Sequence, residues 1–429
     1  MVYAKWRLLM IDMVSISVPF LRRYYTETVS GGAFIDDRTL LERFGVDMSG
    51  CVSWDAEHQK FSFTQLHHKF ESLPSSFASL AFKIINGTDF KQIPYIKIVG
   101  NPAKLLQGHN VYGSDNLELC IMAVVQAFVF GDHNLTDYLD WEHACIDYLD
   151  LTYTAHVENQ TQAQQCLDMM RNIKVGQTKP WYDEKHRTTI YFNKGSELRA
   201  NKVYLKLDEL DSQINKLTRK YALTKYEHFR RQLIEITRPE VRQFATGALR
   251  FEVRVYRQWL NNNGLPTSLR LITDPELQKT EPDIIQRLWR LAFKDIFKSF
   301  EGATMNTYDK ESVLKSLQAK FFRVTPTGRI TYPKANRLYG LYRNIMTDGF
   351  ERTKAGYPRE TWRRHMDDFN DAGLSLAQLM NLTGDQSNVV PFIKMINVDF
   401  SKQLPADYVE PLSLARQYNQ NPALLRLVS

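Results

Sequence analysis

The nine residues Ala248-Leu249-Arg250-Phe251-Glu252-Val253-Arg254-Val255-Tyr256 alternate without a break. Leu249, Phe251, Val253 and Val255 fall on one side of an extended chain, and Arg250, Glu252, Arg254 and Tyr256 on the other. A period of two with one apolar side specifies a half-buried strand. The polar side sets one carboxylate between two guanidiniums. It reads either as a salt-bridged outer face or as a functional face with Glu252 as metal ligand or acid-base group.

Two upstream segments repeat the pattern. In Ile146 to His156, Leu149, Leu151, Tyr153 and Ala155 share one side, and Tyr148, Asp150, Thr152, Thr154 and His156 the other. Asp150 has no cationic neighbour on its own strand. A carboxylate so placed is solvated, paired across a sheet, or one of the oxygen ligands that a hard divalent cation takes. In Arg199 to Lys206, the residues Lys202, Tyr204 and Lys206 oppose Val203 and Leu205. A free phenol, with a pKa of about 10, is a weak nucleophile at neutral pH. Nearby cations favour the phenolate, and a metal can polarise the phosphorus under attack. With 21 tyrosines in the chain, a surface tyrosine among solvating lysines is the plain alternative.

The remaining pattern is that of an α+β protein with a central antiparallel sheet. Short strands are expected at Met13–Pro19, at Leu80–Ile85 and Ile93–Val99 around an Asn86-Gly87 turn, and at Thr188–Asn193. Helices are expected at Asn116–Phe130 and Gln160–Ile173. Another begins just after Tyr204, where Leu207, Leu210, Ile214 and Leu217 recur, and a basic one runs from Lys225 to Ile236. A break at Asn261–Pro266 precedes text that is helical from Asp283 onward. The expectation is a sheet-based catalytic domain over residues 1–265 and a mostly helical, DNA-binding or regulatory domain over 266–429, with the boundary near Asn263 to Pro275.

Composition narrows the partners only a little. Lys and Arg number 55 against 48 Asp and Glu, giving a net charge of +7 and a pI near 9.0, which permits attraction to phosphate without demanding it. The basic residues are clustered, however. Arg199, Lys220, Arg230 and Arg231 surround the Tyr204 region, interleaved with Tyr221, Tyr226 and Phe229. Arg323, Lys334 and Arg337 form a second series with Phe321, Phe322, Tyr332 and Tyr339. Such mixtures suit phosphate contact with base stacking, although charged helices are often only solvated faces. Cys51, Cys120, Cys145 and Cys166 form no C-x-x-C pair, so neither a zinc site nor a disulfide scaffold is expected. No apolar stretch reaches the ~20 residues of a membrane span. No Walker loop or Ser/His/Asp order is present. His109, within Gly108-His109-Asn110-Val111-Tyr112-Gly113, is either a hydrogen-bonded structural histidine or a metal ligand brought to the sheet.

Several segments together resemble the gene II replication proteins of filamentous phages. They include Phe70-Glu71-Ser72-Leu73-Pro74, Leu106-Gln107-Gly108-His109-Asn110-Val111, Gly176-Gln177-Thr178-Lys179, Tyr204-Leu205-Lys206, Arg250-Phe251-Glu252, Gln378-Leu379-Met380-Asn381-Leu382, Asn388-Val389-Val390-Pro391 and Ile396-Asn397-Val398-Asp399-Phe400-Ser401. The resemblance runs from about Met10 to Pro411. It implies a rolling-circle initiator that nicks the viral strand of the replicative form at the phage origin and later cuts and seals the displaced strand into a circle.

The family's nucleophile falls on Tyr204, in a 5′-phosphotyrosine mechanism that conserves phosphodiester energy and needs no nucleotide cofactor. Lys202 and Lys206 are its expected assistants. By similarity to plasmid rolling-circle initiators, which are HUH-like, Asp150 and Glu252 are expected to hold Mg²⁺, with Mn²⁺ as the alternative, and Arg250 or Arg254 to contact the scissile phosphate. His109 is at best a degenerate relative of the His-hydrophobic-His motif, which this sequence lacks.

Expected partners are duplex origin DNA, the displaced single strand, and host helicase and polymerase in the bacterial cytoplasm, with self-association on the origin. Met305 matches an internal start used in the family, and residues 1–9 precede the usual family start. Two other readings stay open: a non-catalytic DNA-binding regulator of replication, and a conjugative relaxase acting at a transfer origin.

Overall fold

The computed structural model describes residues 9–382 and 403–420, except residue 132 and short stretches within 28–77, 87–92, 172–185 and 300–309. Gly176–Lys179, Met305 and Asn388–Pro391 lie outside the described residues. Nine strands form one sheet: β1 (Met10–Pro19), β2 (Glu71–Pro74), β3 (Ser79–Ile85), β4 (Tyr95–Gly100), β5 (Cys145–His156), β6 (Pro180–Asp183), β7 (His186–Phe192), β8 (Arg199–Leu205) and β9 (Ala248–Tyr256). Their order is β6-β7-β8-β9-β5-β1-β4-β3-β2, and each neighbouring pair is antiparallel. The molecule is thus α+β, as its alternating segments predict.

The pleat sorts side chains into two very different faces. On the apolar face, Leu149, Leu151, Phe251, Val253, Val203, Val14 and Ile16 are fully buried. Helices α2 (Leu117–Gly131), α3 (Gln160–Arg171) and α7 (Ile284–Lys298) contribute to the same core, whose centre is an aromatic cluster of Tyr153, Phe251, Trp289, Phe293 and Phe297. Burying each such ring is worth roughly 1.5–3 kcal/mol. Trp289 also donates its indole N–H to the Phe251 carbonyl at 3.1 Å, which fixes α7 to β9.

Helix α7 lies beyond residue 265 yet packs on the sheet. Residues 261–266 resemble a linker in sequence, although Asn261 and Asn262 end a helix (Arg257–Asn262), and the amphipathic face of α7 finds its apolar partner in β9 and β5. A separate core begins later. It is built from α8 (Lys310–Lys320), α9 (Pro333–Asp348) and α10 (Arg359–Asp371) around Leu317, Leu338, Tyr342, Trp362 and Phe369.

The C-terminal segment returns to the sheet. Among the described residues, β1 pairs with β5 only as far as Met10 opposite Thr152, so the next backbone groups of β5 on that side have no described strand partner. The Gln403 side chain supplies one: its Oε1 accepts from the Thr154 N–H at 2.7 Å and its Nε2 donates to the Thr154 carbonyl at 2.8 Å. Leu414 and Tyr418 then join the core beside α2, with Tyr418 against Phe130.

Candidate functional site

The opposite face of the sheet carries the polar and titratable side chains, and three strands assemble them into one patch. β8 and β9 pair with Lys202 opposite Glu252 and Tyr204 opposite Arg250. β9 and β5 pair with Glu252 opposite Thr152 and Arg254 opposite Asp150. Residues directly opposite share a face, so Lys202, Tyr204, Arg250, Glu252, Arg254 and Asp150 form one continuous patch. It is not the solvated outer face that alternation alone allows: Arg250 and Asp150 are buried and Tyr204 is only 3% exposed.

Tyr204 donates its hydroxyl hydrogen to Glu252 Oε2 at 3.0 Å. Lys202 lies over the Tyr204 ring, 4.1 Å from its centroid, and its Nζ is 3.7 Å from the same carboxylate oxygen. Despite its burial, Lys202 is held above the usual lysine pKa by Glu252. The expected phenolate-favouring pocket is reversed in this state. Burial, then the negative charge of Glu252, push the Tyr204 hydroxyl well above its ordinary value, and Arg250 offsets only part of this. The tyrosine is therefore a protonated donor aimed at a carboxylate.

Asp150 accepts a bidentate pair from Arg254, Nε at 2.8 Å and Nη2 at 2.7 Å, while that guanidinium stacks on the Tyr148 ring. The cation missing from its own strand comes from the next one. Burial nevertheless raises the Asp150 carboxyl to about 7, with Glu252 and Asp12 adding to the effect.

Asp12 is the residue that sequence reasoning misses. The β1–β5 register shifts between Ile11 and Met13, and a bulge of this kind re-aims a side chain. Asp12 Oδ1 accepts from Asn101 Nδ2 at 2.8 Å and from Asn110 Nδ2 at 2.9 Å. Burial acts to raise its pKa, but Lys206 and Arg250 hold the carboxyl below its usual value. The one signal of it is an aspartate inside the apolar run Met10-Ile11-Asp12-Met13-Val14.

Asn110 also organises the start of α4 (Lys206–Thr224). Its Oδ1 accepts from Lys206 Nζ at 3.1 Å, and Lys206 Nζ donates to Glu209 at 2.6 Å. Lys206 is fully buried; burial brings its pKa down to about 8 against the pull of Glu209. Arg250, equally buried, donates to the backbone carbonyls of Asn110 and Val111, so it holds the Gly108–Val111 loop. His109 is buried beside Gln107 and Tyr112, and burial lowers its pKa to about 3. Its ring is thus neutral.

The remaining expected contacts lie elsewhere. The pleat turns Arg199 to the apolar face, where it donates to the carbonyls of Leu291 and Ala292 on α7. Lys220 sits near the Phe229 ring, and Arg230 and Arg231 pair with Glu227 on α5 (Glu227–Ile236), away from the Tyr204 patch. Lys334 pairs with Asp368 and covers Phe321, and Arg323 and Arg337 are exposed in the helical part.

Among the described residues no three His, Cys, Asp or Glu groups converge as a ready cation cage. The donor set still suits a hard cation: Asp150 feels the charges of Glu252 and Asp12, and all three are oxygen donors. To serve, Asp150 must exchange its guanidinium partner.

Comparison with known proteins identifies the family of the chain. Residues 10–274 match the N-terminal model of the phage replication-associated protein family, and residues 324–414 match its C-terminal counterpart. The chain belongs to that replication-associated family. It is 35% identical over 410 residues to the replication-associated protein of Enterobacteria phage fd, covering 94% of this chain and 99% of the relative. That of Enterobacteria phage M13 matches to the same extent, and that of Salmonella phage IKe is 36% identical over 419 residues, covering 96% and 98%. The N-terminal family match contains Asp12, Asn110, Asp150, Tyr204 and Glu252, and it ends before α7. No helix of the described residues is long and apolar enough to cross a membrane.

Proposed function

We propose that this replication-associated chain initiates rolling-circle replication of phage DNA by opening and resealing one strand through Tyr204. The observation that carries the reading is the hydrogen bond from the Tyr204 hydroxyl to Glu252. As the phenolic oxygen attacks the scissile phosphorus, its proton passes to Glu252, the P–O3′ bond breaks, and the departing 3′-oxygen takes a proton from water. Tyr204 then carries the 5′ phosphate. Rejoining reverses the step: a 3′-hydroxyl gives its proton to water and attacks the phosphotyrosine, and Tyr204 recovers its proton from Glu252.

Each neighbour has a part in that exchange. Lys202 leaves the phenol ring and its carboxylate partner to meet the incoming phosphate, which uncovers the hydroxyl. Arg254, 36% exposed at its side chain, is the guanidinium able to turn toward DNA, whereas Arg250 keeps the Asn110 loop in place. Asp150, with Glu252 or Asp12, would hold a divalent cation, Mg²⁺ or Mn²⁺, which supplies Lewis-acid polarisation of the phosphate when bound. His109, neutral and enclosed, fits a structural role better than a ligand's. No nucleotide is required, since the phosphotyrosine conserves the bond energy.

The substrate is phage origin DNA in the host cell, first as a duplex and later as the displaced strand, alongside host helicase and polymerase. Purified chain with Mg²⁺ should convert a supercoiled plasmid carrying the cognate phage origin to open and relaxed circles, and Tyr204→Phe should not. Undiminished conversion by Tyr204→Phe would remove Tyr204 from the mechanism. Intact binding with no scission by the wild-type chain under any divalent metal would favour a purely regulatory protein.

A further inference from the structure

The helical part carries a projecting ribbon between α8 and α9. Arg323–Val324 pairs antiparallel with Ile330–Thr331. Its tip is closed by Gly328 N–H to the Thr325 carbonyl at 2.9 Å, Thr325 N–H to the Arg329 carbonyl at 2.9 Å, and Arg329 N–H to the Thr325 hydroxyl at 3.1 Å. Gly328 takes the left-handed conformation the turn needs, at φ +77°. Pro326 stiffens the opposite side. At the base, Phe321 is gripped by Lys334, 4.2 Å over its ring, and Lys334 is tied to Asp368. Lys334 thus links the base of the ribbon to α10.

Its surface is unusual for a solvated turn. Phe322, Val324 and Ile330 are 56%, 55% and 53% exposed. Val324 is directly opposite Ile330, so the two share one side of the ribbon, and Phe322 stands exposed just before the paired residues. The surroundings are cationic: between Glu311 and Asp348 the sequence holds seven basic residues and no acidic one. Lys320, Arg323 and Arg329 are exposed around the apolar strip. An apolar side flanked by Lys320, Arg323 and Arg329 calls for a partner that is itself anionic. It is matched to a polyanion that has an apolar interior.

We infer that this ribbon is a DNA wedge: it enters the minor groove of duplex DNA, with Phe322, Val324 and Ile330 against the base steps and Arg323 and Arg329 on the flanking phosphates. Apolar side chains placed between base steps unstack and kink the duplex. A kinked duplex is easier to open, which suits a chain that must expose one strand to a buried tyrosine. The wedge rests on the reading of the chain as a DNA-acting protein, but not on Tyr204 or on any metal.

The test uses the full chain and a duplex of about 30 base pairs labelled at both ends, long enough to register a bend, without divalent metal, reading affinity by anisotropy and bending by energy transfer. The wild-type chain should bind and shorten the end-to-end distance. The double variant Phe322→Ala/Ile330→Ala should lose the bend and at least tenfold in affinity. Arg323→Ala/Arg329→Ala should lower the slope of log K against log salt by about 1.8, or 0.9 per phosphate contact. Both variants alter exposed side chains, and unchanged thermal midpoints would show that they fold. If both bend and bind the duplex as the wild type does, the wedge is refuted while the DNA reading stands. Tight binding of single strands without bending of the duplex would also refute it. No binding of either DNA by the wild-type chain would overturn the DNA reading and the wedge together.

Discussion

Tyr204 and Glu252 sit on adjacent strands, diagonal to each other across the β8–β9 pair, with hydroxyl and carboxylate 3.0 Å apart. The register leaves no freedom in this: Lys202 is directly opposite Glu252, and a long aromatic side chain two residues on reaches the same carboxylate. Because the phenol is buried and faces a negative charge, it is not activated by its resting environment. In the proposed mechanism its activation comes with the substrate.

If Glu252 takes the phenolic proton, Glu252→Gln keeps a hydrogen-bonding partner for Tyr204 but loses the base. Plasmid relaxation should fall by roughly 10²–10⁴-fold, the usual range for removing a positioned acid-base group. DNA binding should change little. Relaxation undiminished from wild type in a timed gel assay would show that another group accepts the proton.

Asn110 joins Asp12 to Lys206, two buried charges on separate elements. Asn110→Ala leaves both short of a partner, and the expected loss is about 2–4 kcal/mol of unfolding free energy. Urea denaturation measures it. A loss below about 1 kcal/mol, the net worth of a single ordinary hydrogen bond, would mean that the loop does not hold the two charges in place.

How much of this is readable in the residues differs by element. The strands β5, β8 and β9 follow directly from period-two alternation, and their polar sides name Asp150, Tyr204 and Glu252. The partners are harder to see. Asp12 faces the site only because of a bulge, and no periodicity marks a bulge. Arg254 pairs with Asp150 across strands 104 residues apart, which depends on strand order and not on local pattern. Proximity in sequence groups Arg199 with the site cations, but a one-residue step along β8 reverses its face. Helix α7 reads as the start of a helical domain because its apolar stripe does not say which surface it covers.

The buried neutral His109 predicts a pH dependence of stability. Its folded pKa, about 3, lies below the ordinary 6.5, so between those values the unfolded chain binds the extra proton. Stability from this group is present above pH 6.5 and is lost as pH falls toward 3, by up to about 1.4 kcal/mol per pH unit. Asp150, raised from 3.8 to about 7, works the other way, adding stability as pH falls through that range. The difference between wild type and His109→Gln isolates the histidine. Urea midpoints should converge as pH drops from about 7 to about 4.5, across the ordinary histidine pKa, and parallel curves would contradict the assignment.

Gln403 pairs with both backbone groups of Thr154, as a neighbouring strand would. Gln403→Ala should cost about 1–3 kcal/mol if water cannot replace both bonds. Hydrogen exchange at the Thr154 amide should rise with it. Unchanged protection there would show that the C-terminal segment merely rests on the sheet.

In the proposed reaction Tyr204 becomes covalently joined to a 5′ phosphate. An origin oligonucleotide labelled at its 3′ end, incubated with the chain and Mg²⁺ and run on a denaturing gel, reports that bond. With the wild-type chain the label should shift to the mass of the protein, a peptide containing Tyr204 should carry it after proteolysis, and Tyr204→Phe should yield no shifted band. A shifted band with Tyr204→Phe, or a shift only when the label is on the 5′ side of the cut, would contradict that reaction.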